Sequence, residues 1–340
     1  MKKSVYILLA VLCLFSLFLG ACGQGSGSGS GSGGGGSSDE APGETVYPLT
    51  ITTYNYAKEP VEITFEKAPE KVLAVYQNSI ETLLALGLED RIIACAGLDH
   101  EVKDEYKQAF SKVNYLTEYA PSRESTIMLE PDFILSWYSI FDEKRLGDVS
   151  YWHERGIGTY MMKNSGAAAL RVLENEYEDI LAIGKIFNVQ QKAHDLVNAI
   201  KAEVKKAVDH SAGASAKRRV LIVEFFGESI TLYRSSSLGG DMVTKLGAEL
   251  ISNDSGQIGQ EDMINLDPDV IFIVYMDRAG EDRSALSMSK VMDEPKFASL
   301  KAVQNKEVYT IQLGEMYCSG VRTLDGITKF AKGIYPELYN

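Results

Sequence analysis

Histidine and cysteine are scarce in this 340-residue chain, with four of each, and the scarcity removes several functions. Carriers of bare zinc or manganese hold the ion with several imidazoles plus carboxylates. Here His194 and His210 fall on or just past one long helical pattern, while His100 in LDHEVKDEY and His153 in YWHERG stand apart as ordinary surface or half-buried residues. No metal-ion site is expected. No C-x-x-C occurs, and once Cys13 and Cys22 are set aside only Cys95 in RIIACAG and Cys318 in EMYCSG remain. That excludes a disulfide framework and leaves two separate buried thiols. Catalytic signatures are missing too: there is no G-x-S-x-G, no P-loop, no G-x-G-x-x-G after a strand and no His/Cys cluster, so no enzyme is expected. Positive charge is also in deficit, 34 Lys and Arg against 47 Asp and Glu. An acidic surface disfavours nucleic acid, and it equally suits a chain that stays soluble beside an anionic membrane.

What is present begins at the amino terminus. Lys2 and Lys3 precede the apolar run SVYILLAVLCLFSLFLGA, which ends in small residues before Cys22. This is a secretion signal. The tetrad LGAC, Leu19 to Cys22, resembles the bacterial lipoprotein signal, which implies removal of residues 1–21, a lipid on Cys22 and an extracytoplasmic protein anchored to the cell membrane. The alternative is an uncleaved helical anchor, since about 18 apolar residues just span a bilayer. Residues 22–44 are dominated by the Gly/Ser tract, a flexible tether that reaches roughly 25 Å on average.

From Thr45 the text alternates, VYPLTITTYNYAKEPVEITFEKAP, and reads as a β-hairpin broken at AKEP. The short apolar runs KVLAV, RIIACAG, FILSW and GTYMM, separated by helical patterns, predict an α/β lobe over residues 45–187. NVQQKAHDLVNAIKAEVKKAVDHS keeps helical spacing without Gly or Pro, a bridging segment over 188–210 whose helix, from Val189 to Asp209, is about 31 Å long. RVLIVEF, SITLYR, VIFIVY and EVYTIQL then build a second α/β lobe over 211–340. The fold class expected is α/β: two Rossmann-like lobes bridged by a single long helix, preceded by the hairpin.

One unit is written twice, as SRESTIMLEPDFILSW and GQEDMINLDPDVIFIVY. In each, a short helix opens with Glu124 or Glu261, is stopped at Pro, and leads through Asp into a strand. A Glu in a first helical turn also simply complements the helix dipole. The two copies, KVLAVYQNSIETLLALGLEDRIIACAG, the bridging helix and the closing EVYTIQLGEMYCSGVRTLDGITKFAKGIYP together resemble the substrate-binding proteins of ABC importers for iron-siderophore complexes, haem and cobalamin. The resemblance covers about residues 65 to 338. It implies a monomer that captures a metal chelate and delivers it to a permease dimer driven by a cytoplasmic ATPase. It also implies that Glu124 and Glu261 dock on permease arginines, which read carboxylates bidentately. Two other uses of such a fold stay open, a sensor or adhesin that binds without delivering and a metal-chelatase-like enzyme.

Ligands of open α/β sheets bind beyond the carboxyl ends of the strands. Those ends supply Tyr76 and Gln77, Trp137 and Tyr138, Phe225 and Phe226, Tyr275, Met276 and Arg278, and Tyr317 with Arg322 a little later; Arg234 follows SITLY. Together they would line a broad aromatic cleft with arginines for acidic groups. A metal held inside an organic chelate needs no ligand from the protein, and apart from lipid no cofactor is expected. The chelate is read as a ferric siderophore first, haem or a cobamide otherwise.

Overall fold

The computed structural model describes residues 43–227, 229–276 and 283–339; the signal segment, Cys22, nearly all of the tether and Arg278 lie outside them. The chain enters through the antiparallel hairpin β1 (Leu49–Tyr54) and β2 (Pro60–Phe65), paired from Leu49 opposite Phe65 to Tyr54 opposite Pro60. Alternation turns Phe65 inward, where its ring meets Phe133 edge-on at 5.6 Å.

Four parallel strands form the first lobe in the order β4-β3-β5-β6, with β3 Val72–Val75, β4 Ile92–Ala96, β5 Phe133–Ser136 and β6 Gly158–Met161. Every residue of β3, β5 and β6 is buried. Strands covered on both faces must be written as continuous apolar runs, which is how these read. The helices here are α1 (Gln77–Ala85), α2 (Lys107–Phe110), α3 (Arg123–Leu129), α4 (Val149–His153) and α5 (Leu173–Ile186).

Helix α6 (Gln190–Ser211) carries the chain across. At 22 residues it is about 33 Å long. Near its start Lys192 Nζ donates to Leu86 O of the first lobe at 2.8 Å, and near its end His210 meets Glu337 of the second at 2.5 Å. It is the single long bridge between the lobes. It begins one residue later than the spacing predicts because Asn188, at φ 56°, breaks the chain from α5.

The second sheet runs β10-β8-β7-β11-β12, with β9 also against β7. The strands are β7 Arg219–Phe226, β8 Ser229–Leu232, β9 Glu249–Leu250, β10 Gln257–Ile258, β11 Val270–Tyr275 and β12 Val308–Gln312. Parallel pairing joins β7, β11 and β12, whereas β8 returns antiparallel to β7. SITLYR is thus half of a second hairpin, not a further parallel strand, and the sheet is mixed. Around it lie α7 (Leu238–Lys245), α8 (Gln260–Leu266), α9 (Arg283–Met292), α10 (Lys301–Gln304) and α11 (Thr323–Ile334). Among the described residues no helix is long and apolar enough to cross a membrane. Cys95 and Cys318 are both free and buried, and burial pushes the Cys95 thiol up to about 12.

The repeated unit is one junction built twice. Ser122 caps α3 by accepting Ser125 N–H at 3.1 Å, and at the start of α8 the carboxylate of Asp262 accepts Gly259 N–H at 2.9 Å. Each helix ends at a left-handed residue before Pro: Glu130 at φ 48° and Asp267 at φ 38°. The following aspartate then turns back to the neighbouring strand. Asp132 accepts the N–H groups of Glu70 and Lys71 at 2.8 and 2.9 Å, just before β3, and Asp269 accepts that of Arg219 at 2.9 Å, at the start of β7. Pro-Asp therefore fastens each helix to its own sheet.

A buried polar seam joins the lobes. Arg322 sits on Glu81 of α1 through Nε at 2.6 Å and Nη2 at 2.8 Å, and it also donates to Gln312 and to Glu101 O. Glu176 of α5 accepts the N–H groups of Ser319 and Gly320 at 3.2 and 2.6 Å. Gly320, at φ +53°, lies so close to α1 that a Cβ would come within 2.6 Å of Thr82 Oγ1. Only glycine fits between these backbones.

Candidate functional site

The carboxyl ends of β3, β4, β5, β11 and β12 converge between the lobes, and the side chains that follow them form one contact string. Tyr76 lies 5.1 Å from Trp137, and Trp137 lies 6.0 Å from Tyr317, ring to ring. Gln77, Asn78, Asp99, His100 and Met276 complete the wall. Beside it Tyr138 stacks on Tyr56 of the hairpin at 4.6 Å, the planes 9° apart. The wall is cross-braced: Trp137 Nε1–H donates to Asn78 Oδ1, and Asn78 Nδ2 donates to Cys318 Sγ at 3.2 Å. Gln77 Oε1 accepts the N–H groups of Asp99 and His100 at 3.2 and 3.1 Å.

Tyr76 is held in a conformation that side-chain-bearing residues avoid, φ 75° and ψ 154°. Such a residue costs about 1–3 kcal/mol, a kind of strain that clusters where function fixes geometry. The surroundings enforce it: Tyr76 N–H donates to Ala96 O at 2.9 Å, and Gly97, at φ +81°, leaves room for the ring.

Between these walls the enclosed space is about 20 Å³, room for roughly one water. Trp137 and Tyr317 both line it, 6.0 Å apart, so a large ligand needs that pair to part. A bigger hollow of about 500 Å³ lies beneath the hairpin, lined by Phe65, Lys67, Asp132 and His153. It sits at the amino ends of the strands, and the carboxyl-end rule favours the cleft.

The structure brings together Tyr76, Gln77, Trp137, Tyr138, Met276 and Tyr317; Tyr275 is half-buried directly before Met276. Others it places elsewhere. Arg322 is buried and spent on the seam, so the expected ligand arginine is a strut between lobes. Arg234 points Nη1 at Asp254 O, 2.7 Å away in the loop after β9. Phe225 packs against the second-lobe core under Lys290, and Phe226 is 60% exposed beyond it. The cations that do touch the aromatic string are three others. Arg145 donates to the Tyr76 hydroxyl, Arg171 lies over the Tyr317 ring at 4.7 Å, and Lys58 over Tyr138 at 4.9 Å. All three stand outside strand ends, so the strand-end rule passes them by.

Glu124 and Glu261 occupy matching positions, the second residue of α3 and of α8. Both are exposed, and neither side chain has a hydrogen bond or ion pair among the described residues. Also among those residues, no three His, Cys, Asp or Glu side chains converge in a way that could hold a metal ion.

A family model described as periplasmic binding protein matches residues 72–313. The chain is 23% identical over 299 residues to the uncharacterized ABC transporter substrate-binding lipoprotein YvrC of Bacillus subtilis strain 168, covering 86% of this chain and 88% of that one. A periplasmic binding protein from Veillonella parvula DSM 2008 superposes with a TM-score of 0.81 at 32% identity, over 89% of this chain and 96% of the other. The petrobactin-binding protein YclQ of B. subtilis shares the fold at a TM-score of 0.61 and 23% identity, over 86% and 99%. With two α/β lobes, one bridging helix, an interlobe cleft and a family match across both lobes, the chain belongs to the periplasmic binding protein family.

Proposed function

We propose that this protein is the extracytoplasmic solute-binding component of an ABC importer, held at the membrane by a lipid on Cys22, and that it passes a metal chelate to a permease. The observation that carries the reading is the aromatic string Tyr76–Trp137–Tyr317 at the strand carboxyl ends, spanning both lobes of a periplasmic binding protein. Flat rings on both walls suit a broad, partly apolar ligand. Among relatives of the same fold are binding proteins for petrobactin, acinetobactin-iron and haem. A ferric siderophore is the first choice here, haem or a cobamide the next.

The test is direct. Purified protein is titrated with ferric siderophores, haemin and cobalamin while tryptophan emission is followed. Trp152 is fully buried in the first lobe and Trp137 stands in the cleft, so quenching that Trp137→Phe removes reports the cleft. Micromolar or tighter binding of one chelate is expected. No binding by any of them would end the chelate reading.

A further inference from the structure

Carboxylates outnumber cations in this chain, and its Lys and Arg side chains are of two kinds: some are in ion pairs, as Lys103 with Asp325, Lys163 with Glu178, Lys245 with Glu174 and Arg322 with Glu81, and others rest on aromatic rings, as Arg155 on Tyr151 and Lys290 on Phe225. The cations along the aromatic string are of the second kind. Arg145, Arg171 and Lys58 rest on a phenol hydroxyl or on aromatic rings, and no carboxylate among the described residues lies within ion-pair distance of any of them. Arg171 spends one further donor, Nε, on Asn164 O at 2.9 Å. The carboxylates that touch the same string are already engaged. Asp99 accepts the Tyr119 hydroxyl at 2.6 Å, and Asp142 accepts the Tyr56 hydroxyl at 2.6 Å and Lys144 N–H at 2.9 Å.

Three cations gathered along one aromatic string, none in a direct ion pair among the described residues and only Arg145 near enough to a carboxylate, Asp142, to lower its pKa, give the cleft a positive face that suits an anion from outside. Resting on a ring, or for Arg145 on a phenol hydroxyl, keeps each one oriented while leaving donors for a partner. Resting on the chelate reading above, we infer that the cleft selects chelates of net negative charge, and that Arg145, Arg171 and Lys58 set that selectivity. The ligand class is an oxygen-rich anionic complex, with charge carried on metal-bound catecholate or carboxylate oxygens or on peripheral carboxylates. Neutral complexes of the same size would meet the aromatic wall but leave the three cations unanswered.

The test uses the unmodified chain first. A ferric tris-catecholate, a trianion, is compared with a neutral ferric tris-hydroxamate of similar size, with haemin and cobalamin as a second charged and neutral pair. An anionic member of either pair should bind at least about tenfold more tightly than its neutral counterpart, with affinity falling as salt rises. Arg171→Gln and Arg145→Gln should each weaken the preferred anion by about tenfold, with circular dichroism unchanged. A neutral complex binding as well as or better than its anionic counterpart would overturn the charge inference alone. Failure of all four ligands would overturn the chelate reading itself.

Discussion

Arg322 shows how a residue that looks like a ligand contact becomes a part of the frame. The residue is 6% exposed, and its Glu81 partner is fully buried. Removing one member of such a pair leaves a buried charge unanswered, at a cost of about 3–5 kcal/mol. Arg322→Met should therefore lose that much in urea denaturation, and Glu81→Met with Arg322→Met should recover most of it. Equal losses in the single and double variants would deny the pairing. Asp179 offers a second measurement at this scale. Burial, and then the charge of Glu176 beside it, raises its carboxyl well above the usual range. The native state thus keeps a proton that the unfolded chain releases above about pH 4. The stability this group contributes is fully present below that pH and is lost as pH rises toward the native value. Asp179→Asn should flatten the decline of Tm between pH 4 and 7; an unchanged slope would show that another group sets it.

At the scale of elements, the helix-Pro-strand junction carries both strain and order. Glu130 stands in left-handed backbone, and among the described residues its side chain pairs only with Lys71, at 3.9 Å with both side chains exposed. Such an ion pair contributes little. Glu130→Gly should then stabilise the fold by about 1 kcal/mol through the relieved backbone. Asp267→Gly should gain less, because Asp267 also accepts Lys301 N–H at 2.9 Å. Chemical denaturation decides, and a destabilised Glu130→Gly would contradict the argument. Much of this level is legible in sequence. Strands buried on both faces announce themselves as VLAV, FILS and VIFIVY, and the hairpin by its alternation. The return of β8 is not, because antiparallel and parallel strands carry the same local preferences. Nor are the roles of Arg322, Arg145 and Arg171. A guanidinium's partner is chosen by the three-dimensional approach of distant segments, 241 residues apart for Glu81 and Arg322, and local pattern holds no trace of it. The αL residue before each Pro was likewise hidden, since Glu and Asp do not advertise that conformation as Gly does.

Among the described residues, a four-stranded and a six-stranded sheet, with the hairpin beside the first, are joined by one long helix and by a buried polar seam. Parting the lobes widely would expose Glu81, Arg322 and Glu176 and separate Gly320 from α1, so only a small change of angle is expected when a ligand enters. X-ray scattering with and without ligand should give nearly the same radius of gyration; a large compaction would contradict this. Transfer to the membrane partner belongs to the same scale. Glu124→Arg with Glu261→Arg should abolish uptake into cells while leaving ligand affinity in solution intact, and loss of ligand binding would count against a docking role.

The Pro-Asp fastening has a consequence for how such a partner would sense the protein. Because Asp132 and Asp269 tie α3 and α8 each to its own sheet, neither tip can drift independently of the lobe that bears it. Glu124 and Glu261 are then the points of a calliper, and any change in the angle between sheets, however small, is converted into a single length at the surface. A receptor with two fixed arginine seats could gauge that length without touching the cargo.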